Sequence, residues 1–374
     1  MNSVIVVNGG IVGASAAYHL AHDGFATTLI DRADPGAATF AGAGIVAPGT
    51  AGTFPPATIE FTKHAVRYFP PILAALNEVG TTDPGYRTTG KLMISTNDEE
   101  DSRLEGIMSV LVQRRDAGMP NLGTLTWTTP EEAREMFPPL TSIRRAIHIS
   151  DAARVDGDTL RRSLIQAAVH HGAEVRSEDA TLSIQDGRVA GIMRDGENIA
   201  ADAIILAPGS WINELLLPLS VSVPVAPHRG QIVYLSLGDT NTSGWPMMVP
   251  LDGKYILPFD PNRIVTGATQ EPDAGFAPHP TAAGLHLILD RLLANAPGLA
   301  NATIDDVRVG LRPWSADGVP FLGAIPGTEN VIVATGFGGS GLHLGPYTGL
   351  AISRMLHNIP QDVDLQAFRI GRPI

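Results

Sequence analysis

The sequence predicts an α/β fold in which a Rossmann-like dinucleotide-binding part is interleaved with an α+β part built on an antiparallel sheet. Three observations predict it. An apolar strand, Val4-Ile5-Val6-Val7, breaks directly into a glycine turn and restarts as a helix. A second glycine cluster, Gly336 to Pro346, opens another helix over 300 residues later. Between them, residues 221–310 carry short β-rich runs broken by Gly, Asp and Pro turns, an antiparallel pattern.

The N-terminal unit reads as a phosphate cradle. In Asn8-Gly9-Gly10-Ile11-Val12-Gly13, Gly10 lets the backbone approach a pyrophosphate and Gly13 permits close helix-strand packing. The helix N-terminus adds free amides and a partial positive charge. Asn8 replaces the usual first glycine, and asparagine is among the few other residues that tolerate the positive φ of that turn. The helix runs from Ala14 to His22 and stops at Asp23-Gly24; Thr27-Thr28-Leu29-Ile30 then ends in Asp31. A carboxylate at this spacing accepts hydrogen bonds from a ribose and repels a 2′-phosphate, which disfavours NADP.

Composition bounds the partners. Among 374 residues, 26 Lys+Arg stand against 38 Asp+Glu, a net charge of -12. That balance argues against nucleic acid and against a polybasic membrane patch. With no cysteine, disulfides, thiolate metal sites and a cysteine-tethered flavin are excluded. No transmembrane stretch and no secretory leader are recognised, so a cytoplasmic protein is expected. His19 and His22 share a helix face without an apparent third ligand, and no metal site is expected.

Along the chain, Pro35 to Gly49 is a loop of small residues, which suits either a flat ring lying against backbone or a tight crossing of chains. Helices are expected from Glu60 to Asn77, from Asp98 to Ala117, from Pro130 and from Asp158 to His171. Ala173-Glu174-Val175 reads as a strand, and Asp186-Gly187 and Asp195-Gly196 as hairpin turns. Ala203-Ile204-Ile205-Leu206 is a buried strand running into Ala207-Pro208-Gly209-Ser210-Trp211. Antiparallel strands follow at Val223-Pro224-Val225, Gln231 to Leu235, Lys254 to Pro258 and Arg263 to Gly267, then an acid-capped helix from Ala282 to Ala294.

The second cluster, Gly336-Phe337-Gly338-Gly339-Ser340-Gly341-Leu342-His343, selects the cofactor. A nicotinamide site can be completed within one contiguous fold, whereas a ligand needing cradles at both chain ends points to FAD. Reduced flavin carries negative charge at its pyrimidine edge, which a helix N-terminus stabilises. A plain glycine-rich helix cap is the structural alternative. Upstream, Gly310-Leu311-Arg312-Pro313 holds an arginine suited to clamping a carboxylate, or to an ordinary salt bridge.

Taken in order, the N-terminal cradle, Ala207 to Trp211, Tyr255-Ile256-Leu257-Pro258 with Gly267-Ala268-Thr269, Gly310 to Pro313 and the last glycine cluster resemble the glycine/D-amino-acid oxidase family of FAD-dependent oxidoreductases, from Val4 to His357. The resemblance implies a discontinuous FAD-binding domain, residues 1–50, 151–220 and 306–374, and a substrate-binding domain, residues 51–150 and 221–305. It implies that Arg312 holds the substrate carboxylate, that Tyr255 assists over the flavin, and that Gly339 lies by the substrate amine. Cofactor contacts are implied at Gly9, Gly10, Ile11, Val12, Gly13, Asp31, Arg32, Gly42, Ala43, Gly44, Ile45, Val175, Ala207, Gly209, Trp211, Gly338, Gly339, Ser340, Gly341, Leu342 and His343.

The chain departs from the family pattern at Asn8, at Asp31 in place of glutamate, at Phe337 in place of histidine and at His343 in place of a small hydroxyl residue. The implied reaction is oxidative deamination of glycine or a D-amino acid by hydride transfer to flavin N5, with O2 or a quinone-type acceptor reoxidising noncovalent FAD. An N-methyl or cyclic secondary amine, as in sarcosine or proline, is the alternative substrate, and a non-catalytic flavin-binding protein the alternative of another class. Residues 50–150 and 240–255 are expected to form the side-chain pocket.

Overall fold

The computed structural model describes residues 3–50, 55–185, 188–194 and 196–374. β1 (Ser3–Val7) lies inside a six-stranded sheet, between β2 (Ala26–Ile30) and Ala203–Leu206. Glu174–Arg176 flanks β2, while Thr328–Thr335 and then Phe321–Ile325 complete the other side. All pairs are parallel except the last. β1 and Ala203–Leu206 are buried on both faces, which is why both read as unbroken apolar runs.

One face of this sheet carries α1 (Ile11–His22), Gly157–His170 and Gly341–Leu356. α1 and Gly341–Leu356 cross where Gly345 and Gly349 remove bulk: a Cβ at Gly345 would sit 2.9 Å from Ile11 Cγ2. Ser15 Oγ donates to the Pro346 carbonyl across that seam at 2.8 Å. The opposite face packs Ile5, Val7, Ile204 and Val333 against Ile212, Leu182 and Ile192.

An eight-stranded sheet holds the second layer. Its order is Thr303–Ser315, Val225–Ser236, Arg263–Gly267, Tyr255–Phe259, Met247–Met248, Lys91–Ser95, Arg145–Ile149 and Leu125–Thr128. Only the Met247–Met248 and Lys91–Ser95 pair is parallel. Thr303–Ser315 pairs with Val225–Ser236 along nearly its whole length, so the expected boundary at residue 306 falls inside a strand.

Several expected elements shift, each for a local reason. The helix expected over Glu60 to Asn77 is two helices, Ile59–Arg67 and Phe69–Glu78, because Pro70 and Pro71 have no N–H to continue the first and fit the opening turn of the second. Of Val223-Pro224-Val225, only Val225 enters a strand; its N–H turns back to the Val223 carbonyl at 2.7 Å. The helix Ala282–Asn295 has no acid in its first turn, and the Thr281 hydroxyl caps Gly284 N at 3.1 Å instead. Asp186-Gly187 and Asp195 lie outside the described residues, but their flanking strands pair antiparallel. Among the described residues no helix is long and apolar enough to cross a membrane.

Candidate active site

The first cradle is built from backbone. Asn8 takes φ 73°, and its N–H donates to the Ile30 carbonyl at 2.7 Å, which fixes the turn beside β2. Gly13 lies on the Asn8 carbonyl so closely that a Cβ would overlap it. Gly10 is the N-cap of α1; it has no side chain to cap the helix, and no acid stands in the first turn. Thr39 Oγ1 accepts from Ile11 N at 3.0 Å, bringing the small-residue loop to the helix start. Asp31 ends β2 with Oδ1 accepting from Ala33 N at 3.1 Å, and Gly9 sits beneath it, where a Cβ would be 2.7 Å from Oδ2.

A cavity of about 700 Å³ runs from Asp31 past Gly10 and Val12, along the small-residue loop, to Tyr255, Arg312 and Gly339. The small-residue loop contributes in two ways. It lines the cavity at Gly42, Ala43, Gly44 and Ile45, and it makes tight chain crossings. Leu311 N donates to the Gly36 carbonyl at 2.8 Å, and Gly44, at φ 89°, faces the Val155 carbonyl where a Cβ would overlap.

At the far end, Arg312 stands opposite His228 in the sheet, and its Nη1 donates to the Thr269 carbonyl at 3.1 Å. Among the described residues no carboxylate pairs with it. Glu271 is occupied by a short contact with Arg229, by Gln231 Nε2 at 2.7 Å and by Thr269 Oγ1 at 2.5 Å. Burial pushes the Tyr255 phenol well above its usual range, so it stays a hydrogen-bond donor. Gly338 packs its backbone on the Trp314 ring, while Gly339 faces open space. The following helix, Gly341–Leu356, again begins without a side-chain cap or a first-turn acid. Two helix N-termini free of first-turn acids and a ribose-spaced carboxylate on one elongated cavity fit a dinucleotide.

Of the expected contacts, Gly10, Ile11, Val12, Asp31, Gly42, Ala43, Gly44, Ile45, Ala207, Gly209, Trp211, Gly338, Gly339, Gly341 and Leu342 line this cavity with Tyr255 and Arg312. Gly9, Gly13, Arg32, Val175, Ser340 and His343 lie outside its lining. Gly9 and Gly13 pack behind the turn, and Arg32 turns to Asp34 and Glu214. Val175 pairs with Leu29 beside β2. His343 is buried, its Nε2 has no hydrogen-bond partner among the described residues, and burial lowers its pKa to about 4.

The described residues of 55–150 supply none of the lining; they pack into the cores against Gly341–Leu356 and the eight-stranded sheet. Asp252 to Tyr255 do contribute, joined by Ala268 of the Gly267-Ala268-Thr269 element and by Gln270 and Trp314, which sequence reasoning did not single out. The signal available for Lys254 was its place beside Tyr255. His19 is held by the Ser15 carbonyl and the Tyr68 hydroxyl, each at 2.7 Å, and no metal-holding cluster occurs among the described residues.

Residues 3–355 match the DAO family, described as FAD dependent oxidoreductase. The chain is 38% identical to the uncharacterized oxidoreductase YurR of Bacillus subtilis, over 98% of each chain. Among solved structures, iminodiacetate oxidase from Chelativorans sp. BNC1 is 37% identical, covers 98% of each chain and superposes with a TM-score of 0.94. Glycine oxidase from Geobacillus kaustophilus is 25% identical over the whole of both chains, with a TM-score of 0.88. The dinucleotide-shaped cavity thus belongs to an oxidoreductase that uses FAD: the chain is a member of the DAO family of FAD-dependent oxidoreductases.

Proposed function

We propose that this enzyme oxidises a small amino acid at the bond between nitrogen and its neighbouring carbon, with FAD held noncovalently. The observation that carries this is Arg312, a cation in the cavity wall with no acid of its own among the described residues. A guanidinium in that state is matched by a substrate carboxylate, which it can bind through two parallel hydrogen bonds.

The amides opening α1 would hold the cofactor diphosphate, Asp31 a ribose, and the Gly42 to Ile45 loop the ring system. FAD, when bound, supplies a two-electron acceptor for the carbon–hydrogen bond beside nitrogen. Arg312 and Tyr255 fix the carboxylate, and the Gly339 backbone orients the amine, so that catalysis is mainly orientation. The resulting imine takes up water and separates into an amine and a 2-oxo acid. Noncovalent attachment is supported by the cavity lining, which contains neither cysteine nor histidine among the described residues.

Of the two amine classes open from sequence, the N-substituted one has the stronger support. Iminodiacetate is a secondary amine, and its oxidase is 37% identical to this chain, against 29% or less for the glycine oxidases compared. Anaerobic mixing of the yellow protein with glycine, D-alanine, L-proline, N-methylglycine and iminodiacetate tests this directly. Bleaching of the flavin by secondary amines ahead of primary ones is expected; indifference to every one of them removes the proposal. Peroxide release in air then separates O2 from a quinone as acceptor.

A further inference from the structure

The chain has only three lysines. Lys63 pairs with Glu60 at the surface, Lys91 is buried, and Lys254 lines the cavity. Lys254 Nζ donates to the Ala268 carbonyl at 3.0 Å, and Arg312 Nη1 to the Thr269 carbonyl at 3.1 Å. Two cations therefore hang from consecutive carbonyls of one backbone segment. They reach it from opposite sides: that segment follows Arg263–Gly267, Lys254 precedes the adjacent strand Tyr255–Phe259, and Arg312 belongs to Thr303–Ser315 on the other flank.

Neither cation has an ion-pair partner among the described residues, although the chain carries a net charge of -12. The acids around them are engaged elsewhere. Glu271 is taken by Arg229, Gln231 and Thr269. Asp252 Oδ1 accepts from the Lys254 backbone N–H at 2.9 Å, and its Oδ2 faces Arg291 at 4.0 Å. Two part-buried cations in one cavity without anions are costly, and a ligand bearing two negative charges offsets both.

We propose that Lys254 binds a second substrate carboxylate, so that the site takes an amine flanked by two carboxylate-bearing arms. The proposal rests on Arg312 as the clamp for the first carboxylate. In this arrangement the nitrogen lies between the anchors, and each arm is held by one cation. Lysine suits the second place because its ammonium is a compact charge on a flexible stem, able to follow arms of different length.

The test compares two acids that cannot be oxidised at nitrogen, 2,2′-thiodiacetate and (methylthio)acetate, titrated into the yellow holoprotein while the flavin absorption band is followed. Wild type should bind the dicarboxylate about tenfold or more tighter. Lys254→Gln keeps an N–H for the Ala268 carbonyl but no charge, and should abolish that preference; Lys254→Arg should keep most of it. Arg312→Gln should weaken both acids. Equal binding of the two acids by wild type, or an equal loss for both in Lys254→Gln, overturns the role of Lys254 while leaving the Arg312 clamp standing. Failure of either acid to perturb the flavin, with Arg312→Gln indistinguishable from wild type, overturns both.

Discussion

Gly349 lies against Ser15 so closely that one added Cβ would overlap both its Oγ and its carbonyl carbon. The atoms in the way belong partly to backbone, so they cannot rotate aside. Gly349→Val is therefore expected to destabilise the protein by about 3 kcal/mol or more through overpacking, and to loosen the start of α1 that faces the cavity. Thermal unfolding of the yellow protein, with flavin release followed in parallel, measures both effects.

Arg312→Ala should leave a yellow, folded protein while lowering kcat/KM for a carboxylate-bearing amine by about 100-fold, the scale of a lost charged hydrogen-bonding pair. Arg312→Lys should recover only part of this, because an ammonium cannot make the paired contacts of a guanidinium. Steady-state kinetics on both variants is decisive: wild-type values in Arg312→Ala remove the clamp.

Acid should unfold this protein through two histidines. Burial lowers the pKa of both His19 and His343 to about 4, from an ordinary value near 6.5. Below 6.5 the unfolded chain takes up protons that the folded one refuses until about pH 4. The stabilisation is thus complete above pH 6.5 and drains away between 6.5 and 4, each histidine contributing on the order of 3 kcal/mol. The midpoint of thermal unfolding should fall across that window, and the double variant His19→Gln with His343→Gln should flatten the fall; an unchanged slope in the double variant excludes these histidines.

Lys91 offers the opposite opportunity. It is buried, donates to Thr50 Oγ1 at 2.8 Å, and burial lowers its pKa to about 8. Below pH 8 it is therefore charged inside the protein without an acid beside it among the described residues, at a cost of roughly 3 kcal/mol relative to water. Stability should rise with pH between about 8 and 10.5, where the unfolded lysine still holds a proton that the folded one has lost. Lys91→Met should stabilise the protein at pH 7 by about 1–3 kcal/mol and remove that alkaline rise. Chemical denaturation at pH 7 and pH 9.5 reads out both.

The first cradle was legible because its determinants are local. Asn8 in place of glycine implied a positive φ, and the residue takes φ 73°. Strand, turn, helix and terminal acid follow one another within a single unit. What could not be read depends on partners far away in the chain. Thr39 meets Ile11 N from across a loop, and no local capping pattern announces it. That Arg312 has no acid beside it among the described residues could not be read either, because Glu271 is engaged by Arg229 across an isolated antiparallel bridge. Proline explains the break at Tyr68 once seen, but a helical apolar pattern on both sides of it concealed the restart.

The seam between Ser15 and Pro346 joins positions 331 residues apart. During synthesis the first half of the cradle leaves the ribosome long before the helix that braces it and opens the far end of the cavity. Loop closure over such a span is entropically slow to begin, and it comes after most other contacts are available. Cofactor capture then waits on that closure: a flavin colour in the nascent protein reports that the two halves of the cradle have found each other.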